Sequence, residues 1–374
     1  MTSYISNNES LSFIVIGDPH IKIDNLKEFD IFTDKLLSLI NDKNPNYIIV
    51  LGDILHNHER IHTITLNKAY EFLDKLRKIT KTFVLVGNHD MISCSQFLTE
   101  NHWMNGIKEW SNIVIVDKIV KEVFTINDKE HSFYFSPYVP PGRFIEALNT
   151  YDDKWKDASI IFAHQEFFGC KMGAIISVDG DKWSESFPEI ISGHIHSKQK
   201  IQNNIYYTGS AMQNAFGESE KNIIAYVTQY EDSKYDLEEI DLKLPRKKIV
   251  YLKVDEIDDY KIKETGDDYK LTISGNYEEF KAVKKTKKFK DLEKSGVKIV
   301  FKPKKLKPSD MFNNTNKGEI NVEVDDNESD FKTKENSFQE ILLSLVMKES
   351  NNELINDYEL VMNNKITNND IIFI

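Results

Sequence analysis

Apolar runs alternate with longer amphipathic stretches through the first hundred or so residues, and the alternation defines a repeated unit. Residues 11–16 (LSFIVI) form a continuous apolar run of strand length. Over residues 26–40 the apolar positions Phe29, Phe32, Leu36, Leu37 and Ile40 fall near one face at helical spacing. A second run at 47–51 precedes a second helical pattern at about 64–79, and a third run occupies 82–86. Strands alternating with amphipathic helices predict parallel pairing with right-handed crossovers.

The pattern changes in the second half. Strands are expected at roughly 113–116, 118–126 and 132–136, then a helix near 143–148 and a strand at 159–163 that runs into His164. A further strand at 189–192 leads into Gly193, and short strands follow from 198 to 242 with a turn at Asn203-Asn204. The fold class expected is therefore α/β: two layers of sheet flanked by helices, occupying residues 1–243. Composition shifts near Leu244-Pro245-Arg246. Strands at 249–254, 269–274 and 297–301, with a lysine-rich helix or helix pair at 278–294, predict a small α+β cap over 244–303. Residues 304–337 are polar and rich in Asn and Asp, which reads as a flexible linker. Helical periodicity returns through Ile341, Leu345, Leu354 and Tyr358, so 338–374 reads as a helical tail. Such a segment has no core of its own and is expected to dock on a partner protein in preference to its own first domain.

Length and composition narrow the class. A chain of 374 residues exceeds the usual single core. No window of about 18 apolar residues predicts a membrane span. The stretch from Met1 to Leu11 lacks the basic start and apolar segment of a secretory signal. Cys94 and Cys170 form neither a disulfide framework nor a close pair, so a reduced, cytoplasmic compartment is expected. The net charge of −12 argues against a general nucleic-acid coat. Between Lys281 and Lys307, however, twelve lysines face only Asp291 and Glu293, and that segment alone could engage a polyanion.

The candidate chemistry sits at the ends of the apolar runs. Asp18-Pro19-His20, Gly52-Asp53 and Gly87-Asn88-His89-Asp90 follow the first three, and His164 and Gly193-His194-Ile195-His196 follow later ones. In parallel sheets, sites lie beyond the carboxyl ends of the strands. Carboxylate, imidazole and amide ligands together suit a pair of borderline divalent ions such as Mn²⁺, Fe²⁺ or Zn²⁺. Asp18 and His20, one residue apart at strand spacing, are expected to share one ion with His196. Asp53 is the natural bridging carboxylate, and Asn88, His164 and His194 complete the second ion. His89 follows a ligand directly and is better suited to protonating a leaving oxygen, with Asp90 fixing its tautomer and raising its pKa. His56 is placed to contact a phosphate. His58, His62, His102 and His131 are read as ordinary structural or surface residues.

This ligand order resembles that of the calcineurin-like metallophosphoesterases over roughly residues 12–210. Gly52-Asp53-Ile54-Leu55-His56, and Tyr207-Thr208-Gly209-Ser210 followed by Phe216-Gly217-Glu218, resemble more narrowly the SbcD family of DNA double-strand-break nucleases. The compact size and the Asn/Lys-rich composition look most similar to recombination nuclease subunits of large tailed phages, which would place the protein in a host cytoplasm. The resemblance implies two Mn²⁺ ions, exonuclease and endonuclease activity on DNA, and a homodimer. It also implies an SbcC-like ABC-type ATPase partner bound by the C-terminal helices. It assigns the catalytic histidine role to His89, its orienting partner to Asp90 and the phosphate-side histidine to His56. Dimer contacts would come from residues 62–79 and 96–110. A phosphatase or phosphodiesterase acting on a small ester, and a non-catalytic scaffold, are the competing readings.

Overall fold

The computed structural model describes residues 4–6, 10–58, 60–263 and 265–303, all within one compact unit that ends at Lys305. The linker and helical tail expected after residue 303 lie outside the described residues.

Two sheets stack face to face. The first contains six strands in the order Tyr235–Ile240, Ile224–Tyr230, Ser10–Ile16, Tyr47–Val50, Thr82–Leu85 and Ile113–Val116. The last four run parallel, as the alternating pattern predicts, and Ile224–Tyr230 closes onto Ser10–Ile16 antiparallel. The second sheet contains seven strands in the order Tyr4–Ser6, Val120–Ile126, Lys129–Ser136, Ile160–His164, Glu189–Gly193, Ile205–Tyr207 and Gln199–Gln202. Strand alternation explains why these runs are apolar throughout. Phe13, Val15, Ile49, Leu51, Phe83 and Leu85 point inward and meet Phe124, Phe133, Phe135 and Phe162 of the other sheet. Ile14, Ile16, Ile48, Val50 and Val84 point outward into helices α1 (Leu26–Lys43) and α2 (Thr63–Ile79). The second sheet's outer face buries Tyr134, Ile161 and Ile190 against helix α3 (Phe144–Asn149), Trp155 and Trp183.

Local signals account for the boundaries. Asn44 ends α1 in the left-handed region (φ 44°), its N–H donating to the Ile40 carbonyl. His62 caps α2, its side chain accepting from the Ile64 N–H, which is a structural role. The strand expected from residue 132 begins earlier, at Lys129. Asn127 and Asp128 both adopt positive φ (46° and 64°), the conformation of a tight hairpin turn, and this carries exposed Lys129 and Glu130 into the ladder.

Residues 247–303 build a separate three-stranded sheet with its own core. Lys247–Lys253, Asp268–Gly275 and Lys298–Pro303 run parallel in that order. The lysine-rich segment forms two helices, α4 (Tyr277–Val283) and α5 (Lys287–Lys294). Phe280, Phe289 and Leu292 pack with Leu271, Ile273, Leu252 and Phe301, so both helices cover one face of this sheet. No helix among the described residues is long and apolar enough to cross a membrane.

Candidate metal centre

The site forms where strands of both sheets end side by side. His164 closes its strand opposite Gly193, so His164 and His194 emerge at neighbouring strand ends. Beyond its own strand, His20 N–H donates to the Asp53 carbonyl at 3.0 Å, which ties two candidate ligands together through their backbones. The expected extended spacing of Asp18 with His20, and of His194 with His196, is replaced by tighter geometry. Asp18, His20, Asp53 and His194 all have positive φ (25°, 47°, 49° and 78°). Such conformations cost L-residues energy and persist where the surroundings enforce them, typically at functional sites. Gly87 shows the enforcement: a Cβ there would lie 2.2 Å from Asp53 Oδ1.

All seven candidate ligands converge, and they do so in two groups. His20 Nε2 lies 2.8 Å from His196 Nε2 and 3.6 Å from Asp53 Oδ2. On the other side, His164 Nε2 and His194 Nδ1 approach Asn88 Oδ1 at 3.0 and 2.8 Å. Asp53 Oδ2 is also 3.4 Å from His164 Nε2, so one carboxylate oxygen lies beside a ring nitrogen of each group. Asp18 accepts the His194 N–H through Oδ1 at 3.0 Å, while its buried Oδ2 has no partner. A fully buried carboxylate oxygen without a donor is costly unless a cation takes that place. The residues therefore fit divalent ions.

Charge states in the protein alone reinforce the fit. His164 Nδ1 faces the Leu51 carbonyl at 2.7 Å and Nε2 faces Asn88 Oδ1, both of which only accept, so both nitrogens carry protons. Burial opposes that charge, but Asp53 and Asp18 overcome it and push the imidazole up to about 9. Burial raises Asp53, yet His164 and His20 hold its carboxyl well below the ordinary value. Burial raises Asp18 to about 6. Burial lowers His20 well below the usual imidazole range, and burial with the His164 charge lowers His194 to about 3. A proton on His164 thus stands in for metal charge. Divalent-ion binding must displace it, because a nitrogen ligand needs its lone pair. Mn²⁺ binding at neutral pH is therefore expected to release protons and to tighten as pH rises toward about 9. Titration calorimetry in buffers of different ionisation enthalpy measures this directly. Identical apparent heats in all buffers would contradict it.

Around the ligands, two assignments change. Asp90 is not the partner of His89. Its Oδ1 accepts from Ile54 N–H (3.1 Å), Leu55 N–H (3.3 Å) and Trp103 Nε1 (2.9 Å), and its Oδ2 accepts from Gly87 N–H (3.1 Å). The buried carboxylate fastens the Asp53 and Asn88 loops to each other, a role that short-range sequence spacing does not reveal. His89 Nδ1 instead faces the His56 carbonyl at 2.6 Å, so His56 touches His89 through its backbone. The His56 ring stands 5.3 Å from that of His20, and burial together with Lys22 lowers it to about 4. His58, read from sequence as ordinary, stacks on His89 with ring centroids 4.3 Å apart.

Glu218 supplies a contact that sequence chemistry did not assign. Its Oε1 lies 3.2 Å from His196 Nδ1, and its Oε2 accepts from Asn214 and Ala215 N–H at 2.7 and 3.1 Å. The signal was present in the Phe216-Gly217-Glu218 block, because a carboxylate on the far nitrogen of a ligand histidine fixes ring and tautomer. The preceding block is structural. Tyr207 Oη bonds the Gln165 carbonyl and the Phe167 N–H, and Gly209 (φ 72°) brings its carbonyl so close to Gly17 that a Cβ on Gly17 would lie 2.1 Å from it. His102 pairs with Asp117 (3.3 Å) and His131 with Ser159 (3.4 Å), both outside the cluster.

Comparison with known proteins agrees with this geometry. The calcineurin-like phosphoesterase family matches residues 11–198, which contain every candidate ligand from Asp18 to His196. The chain is 45% identical over 315 residues to "Putative phosphoesterase 078R" of Invertebrate iridescent virus 3, covering 83% of this chain and 88% of that protein. It is 45% identical over 285 residues to "Putative phosphoesterase 244L" of Invertebrate iridescent virus 6, covering 75% and 99%. The chain belongs to the calcineurin-like phosphoesterases, hydrolases that use divalent metals. These relatives come from invertebrate viruses and lend no support to a tailed-phage likeness. Among solved structures, GAP50, the anchor in the inner membrane complex of Plasmodium, matches at a TM-score of 0.39 and 16% identity over 63% of this chain and 90% of that one, which carries no argument about function.

Proposed function

We propose that this phosphoesterase is a nuclease subunit that hydrolyses phosphodiester bonds in DNA with two Mn²⁺ ions. The observation that carries the reading is how the small basic sheet is fastened beside the site. Lys247 N–H donates to Gln213 Oε1 at 2.7 Å, and Gln213 Nε2 donates to the Lys247 carbonyl at 3.2 Å. The same amide nitrogen bonds the Glu218 carbonyl at 3.1 Å, next to the carboxylate that holds His196. A groove of about 450 Å³ runs past His194 and His196, between Lys171–Gly173 on one wall and Phe216–Ser219 on the other. A polymeric ester needs an open groove and a basic surface beyond it; a small ester needs neither.

Asp18, His20, Asp53 and His196 are assigned to one ion, and Asp53, Asn88, His164 and His194 to the other. Such a pair, when bound, supplies Lewis-acid activation of a phosphoryl ester. The chain itself handles the proton. His89 Nδ1 donates to the His56 carbonyl, which leaves Nε2 to deliver a proton to the departing alkoxide. His58 holds the plane of that ring by stacking. The neutral His56 ring is suited to donate a hydrogen bond to a phosphate oxygen.

An SbcC-like ABC-type ATPase, bound through residues 338–374, belongs to the same proposal, as does a homodimer built on 62–79 and 96–110. Exposed Ile64 (53%) at the start of α2, with Ile61 (36%) and Ile92 (53%) flanking the two segments, supports the dimer face. Purified protein is expected to degrade end-labelled linear DNA in Mn²⁺ and to leave it intact in EDTA. Hydrolysis of p-nitrophenyl phosphate esters with no cleavage of DNA, even with the ATPase present, would overturn the nuclease reading and leave a small-ester phosphoesterase.

A further inference from the structure

Most of the lysine run that stands out in the sequence, from Lys281 to Lys294, lies on α4, α5 and the turn between them, whereas Lys298 and Lys302 lie on the last strand; both helices sit on one face of the three-stranded sheet. The strand register defines the other face. Val250, Leu271 and Ile299 stand in one cross-strand row, Leu252, Ile273 and Phe301 in the next, and all belong to the core beneath the helices. Side chains alternate across a sheet, so the intervening rows point the opposite way. Those rows are Ile249–Lys270–Lys298, Tyr251–Thr272–Val300 and Lys253–Ser274–Lys302.

The chemistry of this face is distinctive. It carries Lys253, Lys270, Lys298 and Lys302, with no hydrogen-bond or ion-pair partner for their ammonium groups among the described residues. The acid in line with these rows, Asp268, is held by Lys247 at 3.1 Å. Tyr251 stands 72% exposed in the middle of the lysines, and Thr272 and Ser274 add hydroxyls. The face is also continuous with the metal centre. Ile249, at its near end, lies 3.9 Å from the position a Cβ would take on Gly217, and Gly217 lines the groove beside His194 and His196.

We propose that this open sheet face, and not the lysine-rich helices, is the surface that carries the nucleic-acid strand to the metal centre. The inference rests on the nuclease reading and specifies where its substrate lies. Lysines in rows on a flat sheet neutralise successive phosphates, and an exposed tyrosine among them offers a ring on which a base stacks. The lysines of α4 and α5 project from the far side of the sheet's own core, away from this path.

The test compares two charge-reversal variants of the full chain. One is Lys270→Glu/Lys298→Glu/Lys302→Glu on the open face; the other is Lys287→Glu/Lys288→Glu/Lys290→Glu on helix α5. Binding to a labelled oligonucleotide is measured as a function of salt, in Ca²⁺ to block cleavage, and hydrolysis of bis(p-nitrophenyl) phosphate serves as a check of folding and of the metal site. The open-face variant is expected to bind at least about tenfold more weakly, with a salt slope smaller by about 2 to 3, and to hydrolyse the small diester as wild type does. The helix variant is expected to keep both the affinity and the slope. Tyr251→Ala should weaken single-strand binding without changing the slope, since stacking releases no counterion. Weakened binding in the helix variant alone, or wild-type binding in both variants, overturns the assignment of the face while leaving the nuclease reading standing. A wild-type protein that hydrolyses the small diester yet neither binds nor cuts DNA overturns both.

Discussion

Asp53→Asn is expected to abolish hydrolysis, with kcat lowered about a thousandfold or more, equivalent to about 4 kcal/mol at the barrier. The reason lies in how the two carboxylate oxygens divide their contacts. Oδ1 accepts the His89 N–H at 2.8 Å, and Oδ2 lies 3.6 Å from His20 Nε2 and 3.4 Å from His164 Nε2. An asparagine cannot serve both sides. If its oxygen keeps the His89 N–H, its NH₂ points into the space between the two histidine groups, where a cation is expected. If it flips, two donors face each other at His89. The substitution also removes the larger of the two carboxylate charges that keep His164 protonated, so the proton release that accompanies metal binding should shrink with it. Metal content after Mn²⁺ loading and the rate on a phosphodiester are the two readouts. A variant that keeps both ions and works within tenfold of wild type would remove Asp53 from the centre of the site.

His89→Gln should behave differently: little change in metal content, and a fall of about 10² to 10⁴ in kcat, the usual worth of a positioned general acid. Its backbone bond to Asp53 does not depend on the side chain, so the metal-side framework survives the change. The substrate provides the sharper test. A nitrophenolate leaves without help from a proton, whereas the alkoxide of a nucleic-acid strand does not. The loss should therefore be large on DNA and small on a nitrophenyl diester. An equal loss on both, accompanied by loss of bound ions, would make His89 a ligand. The clustering of ring nitrogens from His20, His56 and His89 within 4.8 Å makes that alternative worth measuring.

Much of this site was legible because parallel sheets place chemistry at strand ends, and strand ends can be read from apolar runs. Asp18, Asp53, Asn88 and His164 were found that way, and the structure brings them together with His20, His194 and His196. What was hidden depended on directions that a one-dimensional pattern does not carry. Asp90 looked like a partner for its neighbour in sequence, but its carboxylate turns toward backbone N–H groups 35 and 36 residues away. His58 gained its contact with His89 only through the fold of the loop after Asp53. Four candidate ligands took left-handed backbone angles, which side-chain spacing alone cannot predict. The lysine run drew attention to α4 and α5. Helical and strand lysines look alike in sequence, and only the register of three strands separates the covered face from the open one.

The antiparallel pairing of Ser10–Ile16 with Ile224–Tyr230 has a bearing on how the enzyme comes into being. The strand that leads to Asp18 and His20 leaves the ribosome some two hundred residues ahead of Ile224–Tyr230, so one of its two edges stays unsatisfied until that strand has followed. Local contacts among the first βαβ units can form during synthesis, but closure of the six-stranded sheet is a long-range event of high contact order. A nascent or prematurely terminated chain would thus display an apolar strand edge beside an incomplete set of ligands. The catalytic centre becomes competent only when both ends of the phosphoesterase core have met.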